Sequence, residues 1–203
     1  MERRHQFLVQ APSALTLVST HEAVSAGIML LPGSRKTEAL MGVLGVRVNA
    51  TVQSLRRFSV LGLLRRGSER KAVQALVDQL EIRTPSLEQP VEFLSGGNQQ
   101  KVSVARSFLR EPTVILAYEP TQGVDVGSRF DIYKALRTRS DAGAAILVKS
   151  SDPIELAGLC DRVLVMSRGT IVEAIVRGPG MSKAARSPLG VAMPKTASSA
   201  GSK

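Results

Sequence analysis

Cysteine is nearly absent from this chain: Cys160 is the single one in 203 residues, which excludes an internal disulfide and points to a reducing compartment. It lies in the apolar segment 153–160 and reads as a packing residue rather than a nucleophile. Aromatic residues make up only 3% of the chain, so stacking platforms for single-stranded nucleic acid are scarce. No apolar run is long enough to span a bilayer, and residues 1–10 carry charge without the apolar stretch of a secretory signal. The expectation is a cytoplasmic protein. A GxxxxGK sequence followed by Ser or Thr is also missing, so no P-loop lysine reaches a β/γ-phosphate and no P-loop hydroxyl holds Mg²⁺. Alone, the chain is not expected to cradle a nucleotide.

What is present begins with LSGGNQQK at residues 94–101. Ser95 can cap a helix, Gly96 and Gly97 let backbone N–H groups approach an anion, and the helix dipole adds positive potential at that end. Val102, Ala105, Phe108 and Leu109 give the helix an apolar side, and Pro112 stops it after Glu111. Taken alone, such an end is as often a plain cap as a phosphate site. Next, Val114–Ala117 forms a short apolar run closed by a polar turn, the pattern of a buried parallel strand, with Glu119 just beyond its carboxyl end. Residues 144–149 repeat the strand pattern. Asp152 and Pro153 read as the cap and first position of a short helix, and 162–166 with 169–175 as two strands joined by a Ser-Arg-Gly turn.

These motifs, LSGGNQQKVSVAR at 94–106, YEPTQGVDVGSR at 118–129, SSDPIEL at 150–156 and DRVLVMSRGTIVE at 161–173, resemble the second nucleotide-binding domain of an ATP-binding cassette (ABC) ATPase of the monosaccharide importer family. Upstream, residues 21–40 resemble the lead into that family's helical subdomain, and 48–87 the subdomain itself. The likeness covers roughly residues 18–176, with four motifs in the family's order and spacing. It implies an α/β architecture: a partial P-loop NTPase (ABC ATPase) fold, a three-layer sheet core with a helical subdomain at about 36–93, lacking the P-loop strand. The expected organisation is a poorly patterned segment at 1–17, the partial ATPase domain at 18–178, and a disordered tail at 179–203.

The resemblance also assigns roles. In this family each ATP lies between the P-loop face of one domain and the Ser-Gly-Gly helix end of another, which implies that Ser95, Gly96, Gly97, Asn98 and Gln99 face a nucleotide held by a partner cassette. Gly123, Val124 and Asp125 resemble the loop that contacts the opposite domain, with Gln122 beside it, though the same residues equally suit a plain helix-entry turn; Ser151 stands where many cassettes carry a γ-phosphate-sensing histidine. Glu119 keeps the general-base position, degenerate here for want of a phosphate cradle. Tyr118 replaces the aspartate that binds Mg²⁺ through water, and a phenol is a poor Mg²⁺ ligand. No metal site is therefore expected on this chain's own face. Residues 31–37, LPGSRKT, read as an ordinary turn.

The implied function is the ATP-binding component of a simple-sugar importer, present as a truncated or degenerate second cassette that donates LSGGN. The implied cofactor is ATP shared with an intact P-loop-bearing cassette, with Mg²⁺ supplied through that partner's site. Further partners are membrane permease subunits and, indirectly, a sugar-binding protein, which places the chain peripherally at the inner face of the cell membrane. Independent hydrolysis is not expected. Two alternatives stay open: an inactive remnant of a longer importer ATPase, and a basic nucleic-acid-binding or regulatory adaptor. The net charge of +10, with Arg56, Arg57, Arg65, Arg66, Arg70 and Lys71 clustered, raises the second of these, yet no nucleic-acid motif accompanies it and no specific nucleic acid is expected. His5 and His21 lie apart from every motif.

Overall fold

The computed structural model describes residues 6–7, 15–34 and 38–176. They divide into two compact units, the first ending at Lys149 and the second beginning at Ser150. The expected disordered tail and most of residues 1–17 lie outside the described residues. Within 1–17 a short antiparallel pair is formed by β1 (Gln6–Phe7) and β2 (Leu15–Thr16), which the weak patterning there did not foretell.

The first unit is built on a three-stranded parallel sheet in the order β3-β6-β7. β3 is Ile28–Leu31, β6 Val114–Tyr118 and β7 Ala145–Lys149. Ile28 pairs with Val114 and Leu31 with Ala117, while Val114 pairs with Ala145 and Tyr118 with Lys149. The apolar runs behave as their composition requires: Ile28, Met29, Leu31, Val114, Ile115 and Ala117 are all buried. Gly27 opens the sheet in the left-handed region at φ 81, and its carbonyl accepts from the N–H groups of Thr113 and Val114.

Helix α1 (Thr20–Ser25) is capped by Ser19 and packs beside β3. Then come α2 (Val46–Thr51), a 3₁₀ turn at Leu55–Phe58, a two-residue hairpin of β4 (Ser59–Val60) with β5 (Leu63–Leu64), and α3 (Arg66–Gln79). The turn ahead of α2 is tied down by Asn49. Fully buried, Asn49 accepts from the Met41 N–H at 2.8 Å and donates to the carbonyls of Met41 and Leu44.

Helix α4 (Gly96–Phe108) is the spine of this unit, packing against α2, α3, α5 and β3. Val102, Ala105, Phe108 and Leu109 are buried, as their spacing predicts. Its carboxyl end is closed by cations: Arg57 donates to Leu109 O at 2.7 Å and Arg139 to Phe108 O at 3.0 Å, groups the helix itself leaves unpaired. Glu111, at φ 52, then turns the chain into Pro112 and β6. α5 (Val126–Asp141) buries Ile132, Ala135 and Leu136, with Phe130 and Tyr133 half-buried in an edge-to-face pair.

In the second unit, Asp152 caps α6 (Pro153–Leu159) by accepting from the Ile154 N–H at 2.9 Å. Cys160 is the half-buried carboxyl cap. The hairpin of β8 (Arg162–Ser167) and β9 (Thr170–Val176) turns through Arg168 and Gly169, both at positive φ, which matches the strand twist.

The α2–α3 pair depends on one buried carboxylate. Glu69 is 1% exposed and accepts from Arg47 Nη1 at 2.8 Å and from Thr51 Oγ1 at 2.7 Å. Arg47 also engages Glu88 and holds that carboxyl below the usual carboxylate range. Glu69→Ala, which leaves Arg47 and Thr51 without their shared acceptor, is expected to cost about 3 kcal/mol, seen as a lower midpoint in denaturant titration. Because the Glu88 value is depressed on folding, its contribution is present above the unfolded value near ~4.3 and fades as pH falls through the folded one. Glu88 is half-exposed, so Glu88→Gln is expected to change stability at neutral pH by less than about 1 kcal/mol.

Candidate functional site

The amino end of α4 is an open helix terminus. Ser95 is exposed, and its Oγ accepts from the Asn98 N–H at 3.4 Å and from Asn98 Nδ2 at 2.9 Å. The hydroxyl hydrogen of Ser95 is not used by either bond. The N–H groups of Gly96 and Gly97 are first-turn donors with no acceptor inside the helix. Asn98 Oδ1 in turn accepts from the Arg83 N–H at 2.8 Å, so the cap is anchored to the loop after α3. This donor set and the helix dipole suit a phosphate.

The other expected residues divide by position. Gln99 is buried and donates from Nε2 to Leu94 O at 3.0 Å, which directs its amide inward, under the helix end rather than out of it. Gln100, fully buried, donates to Pro120 O at 2.8 Å, joining α4 to the loop after β6. That loop holds Glu119, exposed Gln122, and Asp125, the cap of α5. The Ser128 N–H donates to Asp125 Oδ1 at 3.0 Å, and this bond above all keeps the Asp125 carboxyl below its ordinary value. Ser151 is exposed and belongs to the second unit, just before α6.

Gly97 proves to be a packing position as well as a candidate anion contact. A Cβ there would overlap Ser128 Oγ and stand 2.6 Å from Ser128 Cβ and 2.7 Å from Asp125 Oδ2. The first turn of α4 and the capped start of α5 are thus in van der Waals contact, and only glycine fits between them. The sequence marks Gly97 for the close approach it gives an anion; its contact with α5 is encoded by no local pattern.

At the carboxyl edge of the sheet, Glu119 is 8% exposed and has φ 46. Its N–H donates to Lys149 O at 2.7 Å, and its Oε1 accepts from Lys149 Nζ at 2.6 Å. Lys149 was also missed: at the end of an apolar run it reads as a polar strand terminus. The carboxylate beside it holds the lysine above its ordinary pKa. Tyr118 is half-exposed, with Lys149 Nζ 4.5 Å from its ring centroid. Mg²⁺ does not fit here, since one ligand is a phenol and the other a carboxylate already joined to an ammonium. Among the described residues no cluster of three or more His, Cys, Asp or Glu could hold a metal ion, and no helix is long and apolar enough to cross a membrane.

The basic cluster is partly neutralised. Arg57 pairs with Glu111 at 2.7 Å and Arg70 with Glu88 at 3.5 Å.

Comparison with known proteins bears on the whole arrangement. Residues 7–122 match the family model described as ABC transporter. The chain is 45% identical over 163 residues to a ribose import ATP-binding protein of Rhizobium johnstonii, covering 79% of this chain and 32% of that one. It is 40% identical to a xylose import ATP-binding protein of Photobacterium profundum, with 77% and 31% covered. It therefore spans about a third of the length of these curated relatives. The fold is similar, with TM-score 0.66 and 22% identity, to a dimeric ATP-binding cassette in a post-hydrolysis state bound to ADP and Pi, over 79% of this chain and 69% of that one. A nucleotide-free cassette from an ABC transporter gives TM-score 0.65 at 18% identity, with 81% and 66% covered. With its parallel sheet, helices and Ser-Gly-Gly helix end in place, the chain belongs to the ABC transporter family of ATP-binding cassettes.

Proposed function

We propose that this chain serves a simple-sugar importer as an assisting cassette, presenting the amino end of α4 to an ATP held by a P-loop outside these 203 residues. The observation that carries this reading is the contrast between two faces. Ser95 is exposed and caps a helix whose Gly96 and Gly97 N–H groups have no acceptor inside it, whereas the Glu119 edge is closed by an internal ion pair and the sequence has no GxxxxGK motif.

In this reading the Ser95 hydroxyl and the Gly96 and Gly97 N–H groups bind and orient the terminal phosphate, with Asn98 holding Ser95 in place. Gln99 supports the turn from beneath. Gln122 and Asp125, on the exposed loop beside Gly97, meet the opposing cassette, and Ser151 stands at the γ-phosphate-sensing position. ATP is then shared with an intact cassette that also supplies Mg²⁺. The assembly includes permease subunits at the inner face of the membrane and, through them, a sugar-binding protein. The names of the relatives, ribose, xylose and arabinose import ATP-binding proteins, support the substrate class.

Added to a P-loop-bearing cassette whose own signature serine is replaced, the wild-type chain is expected to raise ATP turnover. Ser95→Arg is expected to lower that stimulation at least about tenfold. No stimulation by the wild-type chain, or equal stimulation by Ser95→Arg, refutes the donor role. The isolated chain is expected to hydrolyse no ATP, measured as released phosphate after size exclusion.

Gly97→Ala separates packing from binding. Overlap with Asp125 and Ser128 is expected to cost roughly 1–3 kcal/mol in the absence of any nucleotide. A variant with wild-type melting behaviour would contradict the close seat of α4 on α5.

A further inference from the structure

The parallel register places the last residues of β6 and β7, Tyr118 and Lys149, side by side, with Glu119 immediately following. Lys149 grips Glu119 twice, its carbonyl accepting the Glu119 N–H at 2.7 Å and its ammonium reaching the carboxylate at 2.6 Å. The same ammonium lies over the Tyr118 ring. The two side chains are unequally exposed, 10% for Glu119 and 57% for Lys149, so the carboxylate is inside and the cation forms the rim. The opposite side is closed by Gly33, where a Cβ would come within 3.0 Å of Tyr118 Cδ1 and 3.2 Å of Glu119 Cβ.

We propose that Lys149 is a built-in cation that takes the position of a divalent metal at this sheet edge, neutralising Glu119 and excluding Mg²⁺ from the face. A dication brought to the same carboxylate meets an ammonium of like charge 2.6 Å from one oxygen. Mg²⁺ also needs a near-octahedral oxygen shell, to which Tyr118 adds only a neutral phenol. Glu119 is consequently an ion-paired carboxylate rather than an available base, and a phosphate reaching this edge would meet the lysine and no metal. This goes beyond the donor role proposed for Ser95; the two readings share the Glu119–Lys149 pair as an observation, but their tests change different residues.

The test uses Mn²⁺ as the probe, followed by the electron paramagnetic resonance signal of the free ion during titration of the 203-residue chain. Wild type and Tyr118→Asp are expected to bind Mn²⁺ only weakly. Tyr118→Asp combined with Lys149→Met is expected to bind it at least about tenfold more tightly than Tyr118→Asp alone. Tyr118→Asp combined with Lys149→Arg, which keeps the charge, is expected to behave like Tyr118→Asp. Lys149 is largely exposed, so these changes leave the core untouched. Equal Mn²⁺ affinity in Tyr118→Asp and the Lys149→Met double variant overturns the proposal, as does tight binding in the Lys149→Arg form. A second reading needs no change at Lys149: Mn²⁺ is expected to leave the Tyr118 ring resonances of the wild-type chain sharp, and paramagnetic broadening of them also overturns it. The ATP-turnover experiment with Ser95→Arg is insensitive to this outcome, so failure of one does not mask failure of the other.

Discussion

The seat of α4 on the loop that follows β6 is the constraint from which the rest of the molecule follows. Gln100 donates from the helix interior to Pro120 O, and three residues earlier Gly97 lies flush against Asp125 and Ser128. A helix end facing solvent would ordinarily fray, because its first N–H groups lack partners. Here the end is fixed in direction by contacts one turn further in, so its unpaired donors stay aimed outward at little entropic cost. The same contacts link the helix end to the loop carrying Glu119, Gln122 and Asp125.

The helical subdomain reaches α4 by a second route. Asn98 accepts from the Arg83 N–H, and Lys101, 4% exposed, donates to Glu81 O at 3.0 Å while pairing with Asp131 at 2.6 Å. Lys101 thus ties the loop after α3 to α5 across the first turns of α4. A buried lysine is tolerable only with both its charge and its donors matched, and this one has a carboxylate and a carbonyl. Its position in the LSGGNQQK motif has a structural explanation that requires no nucleotide.

Much of this was legible in the sequence, and the reasons differ by element. β6 is legible because its apolar run Val114–Ala117 is preceded by Pro112 and followed by a polar turn. α4 followed from spacing and from Pro112, and the hairpin of β8 and β9 from its Arg-Gly turn. The β4–β5 hairpin was not legible: its strands have two residues each, too few to show alternation, and its turn rests on Leu61 at φ 50, a residue that rarely enters the left-handed region. At the site, the sequence disclosed the Ser95 end because its signal is local. Gly97 against Ser128 and Glu119 against Lys149 are 31 and 30 residues apart, and only the tertiary packing of α4 on α5 and the parallel register create them.

Two buried carboxylates, Glu69 and Glu119, show how similar chemistry yields different roles. Each accepts from a basic side chain on a neighbouring element, and each is under 10% exposed. Glu69 lies within a regular helix, where its backbone is relaxed and its second acceptor oxygen is satisfied by Thr51, so the group holds two helices together. Glu119 instead has a left-handed backbone, a conformation that costs about 1–2 kcal/mol for a residue with a Cβ. The Glu119 N–H still continues the parallel ladder to Lys149 O, and the turn adds a bond of its own from the Gln122 N–H to Glu119 O. In this conformation the carboxylate lies 2.6 Å from Lys149 Nζ. The strained turn thus stands at the sheet edge where Glu119 and Lys149 balance each other's charge, while the first-turn donors of α4 remain without an acceptor inside their helix.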